Sequence, residues 1–101
     1  MRMLVFFDLP TETAKDRKIY STFRKALVNE GFIMMQESVY TKLALNMSVV
    51  NSTREKLYKI KPTHGLVQML IITEKQYSSI EYITGESDRK ILDNTERLII
   101  L

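Results

Sequence analysis

The chain has no cysteine and no tryptophan, one histidine, two prolines and three glycines. Without cysteine there is no disulfide, thiol nucleophile or zinc–thiolate site, and the expected compartment is a reducing cytoplasm. Gly31, Gly65 and Gly85 stand too far apart for a Walker loop or a dinucleotide-binding turn, which excludes ATP-driven chemistry by that route. The histidine, His64, lies in "KPTHG", where proline and glycine mark a loop. No serine is placed beside it, so a serine–histidine triad is not supported. The twelve acids form no D-x-D or H-x-x-E pattern. No apolar run approaches the roughly 20 residues of a membrane helix. The opening apolar stretch, broken by Asp8 and Pro10, is too short for a secretory signal.

What remains is ordinary globular material. Its 101 residues are 45% hydrophobic and 27% charged, which fits one domain over residues 1–101. Such a chain buries roughly 60–65% of the surface it exposes when unfolded, enough for one modest core. Net charge is +3, unevenly spread. Residues 1–65 hold eleven Lys/Arg against six Asp/Glu, and residues 66–101 hold four against six. A basic body suits a polyanion, although so small an excess also describes a solvated surface. The acidic last third is a candidate surface for a basic partner.

Local patterns give the elements. "RMLVFFD", residues 2–8, reads as a strand covered on both faces, because its apolar run is nearly continuous. Thr13 and Asp16 have capping-box spacing ahead of a helix over 13–29, with Ile19, Phe23, Ala26 and Leu27 on one stripe. Gly31 ends that helix. "FIMMQ" and "SVYTKLAL" read as a hairpin turning near Glu37. Asn46 caps a second helix, about 46–60, with Met47, Val50, Leu57 and Tyr58 as its apolar face. Residues 66–72, "LVQMLII", form a strand; 80–84, "IEYIT", a shorter one; and "LIIL" a last one. The order strand, helix, strand, strand, helix, strand is the α+β, ferredoxin-like split βαβ arrangement. Such a domain has one bare sheet face, and the apolar C-terminal strands are placed to pair with a second copy.

Asp8 sits at the carboxyl end of the first strand. By position alone it begins a turn, since aspartate side chains bond nearby backbone amides. A twofold dimer changes the reading, because every site then occurs twice. Two copies of Asp8 near the axis would repel unless a cation lay between them. Magnesium accepts one or two carboxylates, several waters and substrate phosphates. "LVFFDLP" also loosely resembles the first motif of an RNA-recognition domain, but the companion glycine-aromatic motif is missing from every later strand.

"FFDLPTETAKDRKIYSTFRKALVNEGFIMMQESVYTKL" resembles the small CRISPR-associated Cas-two family, in the form found beside Cas-nine systems. The likeness covers almost the whole chain. It rests on "FDLP" after the first strand, "Arg-Lys" in the first helix, "GF" after that helix, and "QESVY" in the hairpin, in that order. The resemblance implies a homodimer whose C-terminal strands extend the partner's sheet. It implies a place at the centre of the spacer-acquisition complex, holding duplex DNA between dimers of the Cas-one integrase. For some members it implies a magnesium-dependent endonuclease acting on double-stranded DNA or single-stranded RNA. The metal-binding acid would be Asp8. Phosphate contacts would come from Arg17, Lys18, Arg24 and Lys25, whose other role is helix solvation. A second reading is a toxin-like metal-dependent endoribonuclease of similar fold outside CRISPR.

Overall fold

A computed structural model describes residues 1–85 of the chain. Strand β1 (Arg2–Asp8) leads to helix α1 (Ala14–Asn29), hairpin strands β2 (Ile33–Gln36) and β3 (Val39–Leu43), helix α2 (Met47–Ile60), strand β4 (Leu66–Ile72) and a short helix α3 (Glu74–Ser78). The sheet order is β2-β3-β1-β4, and every pairing is antiparallel. This is the ferredoxin-like order expected from the alternation of elements.

The helix starts follow their local chemistry. Thr13 is the N-cap of α1: its hydroxyl accepts from Asp16 N–H, and the Asp16 carboxylate accepts from Thr13 N–H. Asn46 caps α2 by accepting from Val49 N–H. Each satisfies amide donors that a helix start leaves without partners. Gly31, just beyond the end of α1, has φ +93°, a backbone state that only glycine enters freely. Ser38, in the β2–β3 turn, also has positive φ. Its hydroxyl lies 3.0 Å from the Tyr20 hydroxyl, which ties the hairpin to α1.

Alternation along β1 sorts its side chains. Met3, Val5 and Phe7 face the helices and join Phe23, Leu27, Tyr40, Val50 and Leu57 in the core. Phe7 makes edge-on contacts with Tyr20 and Phe23, with ring centroids 5.5 and 5.3 Å apart. On α2 the buried stripe is Val50, Thr53 and Leu57. Met47 and Tyr58, expected on that stripe, are 48% and 67% exposed. Tyr58 is one residue past Leu57, about 100° around the helix, and so turns away from the sheet.

Arg2, Leu4, Phe6 and Asp8 point to the opposite face. Arg2 is only 5% exposed. Its Nε and Nη2 donate to the two Glu74 carboxylate oxygens at 2.9 and 2.6 Å, and its guanidinium lies 4.2 Å from the Tyr77 ring centroid. These contacts hold α3 against the start of β1. Glu74→Ala is expected to lower stability by about 1–2 kcal/mol in chemical denaturation. That is less than breaking a fully buried pair costs, because the Glu74 end is partly solvated.

The stretch 80–84 is a correction. It was expected as a strand, but the chain there is irregular. A Thr73–Gln76 capping box starts α3 instead, and Ile80 N–H bonds back to the Tyr77 carbonyl. The chain is thereby turned out of line with β4. No strand lies beside 80–84 among the described residues, and Ile83 is 89% exposed. The expected final strand, "LIIL", lies outside the described residues.

Candidate active site and nucleic-acid interface

Asp8 is the last residue of β1 and pairs in register with Leu66 of β4. Its side chain is exposed. A turn-forming aspartate would accept a hydrogen bond from the backbone that follows, but among the described residues Asp8 accepts none. Other groups hold that turn. Arg17 Nη1 donates to the carbonyls of Thr11 and Glu12 at 3.2 and 3.1 Å, and the Thr13–Asp16 box follows directly. The turn is thus built without the Asp8 carboxylate, which stays available to a ligand.

Gly65 fixes the backbone at this point. It has φ +92°, and a Cβ there would lie 2.6 Å from Leu9 Cδ2 and 2.8 Å from the Asp8 carbonyl oxygen. The loop "KPTHG" therefore runs directly against the end of β1. The sequence shows Gly65 as a chain breaker but not as the residue packed on Asp8. His64 is exposed.

Asp8 shares its sheet face with an apolar surface. Cross-strand partners point to the same side of a sheet, so the register puts Leu43, Leu66, Leu70 and Ile33 on the Asp8 face. All four are about half exposed or more. The same face buries Thr41, whose Oγ1 has no hydrogen-bond partner among the described residues. No group of three or more His, Asp or Glu side chains that could hold a metal occurs among the described residues. Asp8 is the carboxylate that the end of β1 brings to this face.

The four basic residues expected on α1 are separated by the structure. Arg17 is engaged with the turn after Asp8. Arg24 and Lys25 line a shallow cleft of about 360 Å³ with Val28 and Asn29. Lys18 belongs to a different cleft, shared with Lys15 on α1 and Lys61 at the end of α2. Lys15 and Lys61 were not recognised from the sequence. A signal for Lys15 was present, since positions 15, 18, 22 and 25 follow helical spacing along one side of α1.

These features define a ferredoxin-like α+β protein with an acid at the end of its central strand and a basic first helix. Residues 1–80 match the family described as CRISPR associated protein Cas2. Proteins named "CRISPR-associated endoribonuclease Cas2" from Treponema denticola and Ligilactobacillus salivarius are 50% and 44% identical to the chain, each over the full length of both. One from Streptococcus mutans serotype c is 46% identical over all of this chain and 93% of the relative. The chain belongs to the Cas2 family. The crystal structure of Streptococcus pyogenes Cas2 at pH 6.5 shares the fold, with a TM-score of 0.63 and 21% identity over 83% of this chain and all of that one. No helix among the described residues is long and apolar enough to cross a membrane.

Proposed function

We propose that this chain acts in CRISPR adaptation as a twofold homodimer that holds duplex DNA between integrase subunits. At its axis the dimer carries one magnesium-dependent phosphodiesterase site. The carrying observation is the Asp8 carboxylate, exposed and without a hydrogen-bond partner among the described residues, on a sheet face whose exposed leucines and isoleucine require a cover. A second copy packed on that face brings two Asp8 side chains toward one axis. The curated relatives are named endoribonucleases, which supports hydrolysis of an RNA phosphodiester; double-stranded DNA is the other substrate of this proposal and has no support from those names.

The donor set suits magnesium in a dimer and not in a monomer. In a dimer the two Asp8 carboxylates would hold the ion, with waters and substrate phosphates as its other ligands, whereas one carboxylate per chain is sparse. When bound, the ion polarises the phosphodiester and lowers the pKa of a coordinated water. The chain's own part is to hold the two carboxylates at a fixed separation. Gly65 and the Arg17-held turn do this by fixing the backbone at Asp8 and in the turn that follows it. Among the described residues no other side chain is placed as a general base.

The scaffold role rests on Lys18, Arg24 and Lys25, with Arg17 occupied in the turn. Binding through phosphates is insensitive to sequence and falls steeply with salt. Arg24→Gln with Lys25→Gln removes two contacts from each protomer, four per dimer, and is expected to flatten the slope of log affinity against log salt by about 3.6. Anisotropy titrations of labelled duplex DNA at several salt concentrations measure this. A wild-type protein without salt-sensitive duplex binding would remove the scaffold reading.

A further inference from the structure

Asp8 is held differently on its two sides. Toward β4 it pairs in register with Leu66. Toward β3 the register ends at Phe6 and Val39, two residues short of Asp8. One bond carries it further: Phe7 N–H donates to the Ser38 carbonyl at 3.0 Å. Ser38 has φ +64°, a left-handed state that a serine enters at a cost in free energy. A glycine would make the same turn without strain. What the serine adds is its hydroxyl, 3.0 Å from the Tyr20 hydroxyl on α1. Both residues are partly buried. The Tyr20 ring in turn meets the Phe7 ring edge-on, with centroids 5.5 Å apart. The contacts close a loop that runs from the Phe7 backbone to the Ser38 carbonyl, from the Ser38 hydroxyl to Tyr20, and from the Tyr20 ring back to Phe7.

We propose that Tyr20 and Ser38 are positioning residues for the Asp8 carboxylate. The inference rests on the shared metal site proposed above and deepens it, naming what sets the carboxylate from the β3 side as Gly65 does from the β4 side. The pair acts through the backbone, because its hydroxyls meet on the helix side of the sheet and Asp8 points to the other. Strained backbone outside glycine persists where its surroundings hold it, and it collects at functional sites. Loosening the hydroxyl pair frees the turn, and with it the carbonyl that fixes Phe7. Twofold symmetry magnifies the result. A shift of Asp8 away from the axis is repeated by its mate, so the separation of the two carboxylates changes by twice that shift. Magnesium tolerates little of this, since it requires near-octahedral ligands at about 2.0–2.1 Å, whereas calcium takes roughly six to eight oxygens in a flexible shell. The pair should therefore show itself in which metal the site prefers.

The test uses the full chain as wild type, Tyr20→Phe, Ser38→Gly, both changes together, and Asp8→Ala. Tyr20→Phe keeps the ring and removes the hydroxyl. Ser38→Gly removes the other hydroxyl and relieves the backbone strain. Manganese(II), which shares magnesium's preference for octahedral oxygen ligands, is titrated by electron paramagnetic resonance, and calcium by its displacement of manganese. Melting temperature and mass in solution are recorded for each protein. Each single variant is expected to bind manganese about 10-fold more weakly, as is usual when a support of a metal ligand is lost, with a smaller change for calcium. Ser38→Gly should do this with little change in melting temperature, the relieved strain offsetting the lost hydrogen bond. The double variant should lose no more than either single one, because the two hydroxyls make one interaction. Unchanged manganese affinity in both single variants, when Asp8→Ala abolishes it, overturns the positioning role and leaves the metal site intact. Equal losses for manganese and calcium, with a lower melting temperature or a monomeric mass, make the pair a support of the fold alone and overturn the proposal. Losses that add in the double variant overturn it as well. If the wild type binds no manganese, or Asp8→Ala binds it equally, the metal site and its positioning pair fall together.

Discussion

Asp8→Ala should abolish cleavage while leaving the fold, the dimer and duplex binding in place. The expected loss is about 10³-fold or more in rate, because a bound metal contributes several kcal/mol of transition-state stabilisation. The variant separates chemistry from structure because the Asp8 side chain is exposed and accepts no hydrogen bond among the described residues. Its removal leaves no buried donor without a partner. Wild type and variant are compared on duplex DNA and single-stranded RNA, with magnesium and with chelator, and the mass of each is measured in solution at micromolar concentration. Cleavage that needs both magnesium and Asp8 makes the protein an enzyme with a shared site. Persistent cleavage by the variant places the chemistry elsewhere. No cleavage by either protein, with salt-sensitive duplex binding retained, makes it a scaffold whose chemistry belongs to its partner. A monomeric mass would remove the second carboxylate, and with it the metal site.

The legible parts of this sequence were those encoded by neighbours in the chain. Thr13 and Asp16 announced α1, Asn46 announced α2, and the apolar run of residues 2–8 announced a central strand. The order of these elements led to the sheet order found. Thr73 and Gln76 carry the same kind of capping signal, but they lie between "LVQMLII" and "IEYIT", whose apolar patterns both resemble strands. One missed box therefore turned an irregular stretch into an expected strand. Contacts over longer range had no local mark. Arg2 to Glu74 spans seventy-two positions, and Lys61 joins Lys15 and Lys18 only after α2 has packed against α1. Arg17 was a sound candidate for phosphate by type and helix position. Its bonds to Thr11 and Glu12 depend on the path of the turn, which helical periodicity does not describe. Asp8 itself was legible as a candidate, but a choice between turn residue and ligand required the turn's hydrogen bonds.

The second large effect is expected at Gly65, and it bears on the same carboxylate. Gly65→Ala must adopt φ near +92° and bring a methyl to 2.6 Å from Leu9 Cδ2 and 2.8 Å from the Asp8 carbonyl oxygen. Leu9 is buried in the core, and the carbonyl belongs to a backbone paired with β4, so neither neighbour can yield freely. Left-handed strain of about 1–2 kcal/mol and overpacking of about 1–3 kcal/mol together predict a loss of about 3 kcal/mol. That corresponds to a fall in melting temperature of roughly 12–24 °C for a domain of this size. Gly85→Ala is the control: its φ is also positive, at +85°, but nothing among the described residues lies within 4 Å of the added methyl. Its cost should be limited to about 1–2 kcal/mol of backbone strain. Thermal unfolding followed by circular dichroism ranks the two. Equal losses would show that the close approach to Asp8 and Leu9 is not what fixes Gly65. A much larger loss at Gly65 would show that the loop is seated on the end of β1, as a site that must hold two carboxylates at one separation requires. Cleavage by the surviving folded fraction of Gly65→Ala then reports position: if Asp8 works through its placement, this fraction should be slower than wild type even below its melting transition.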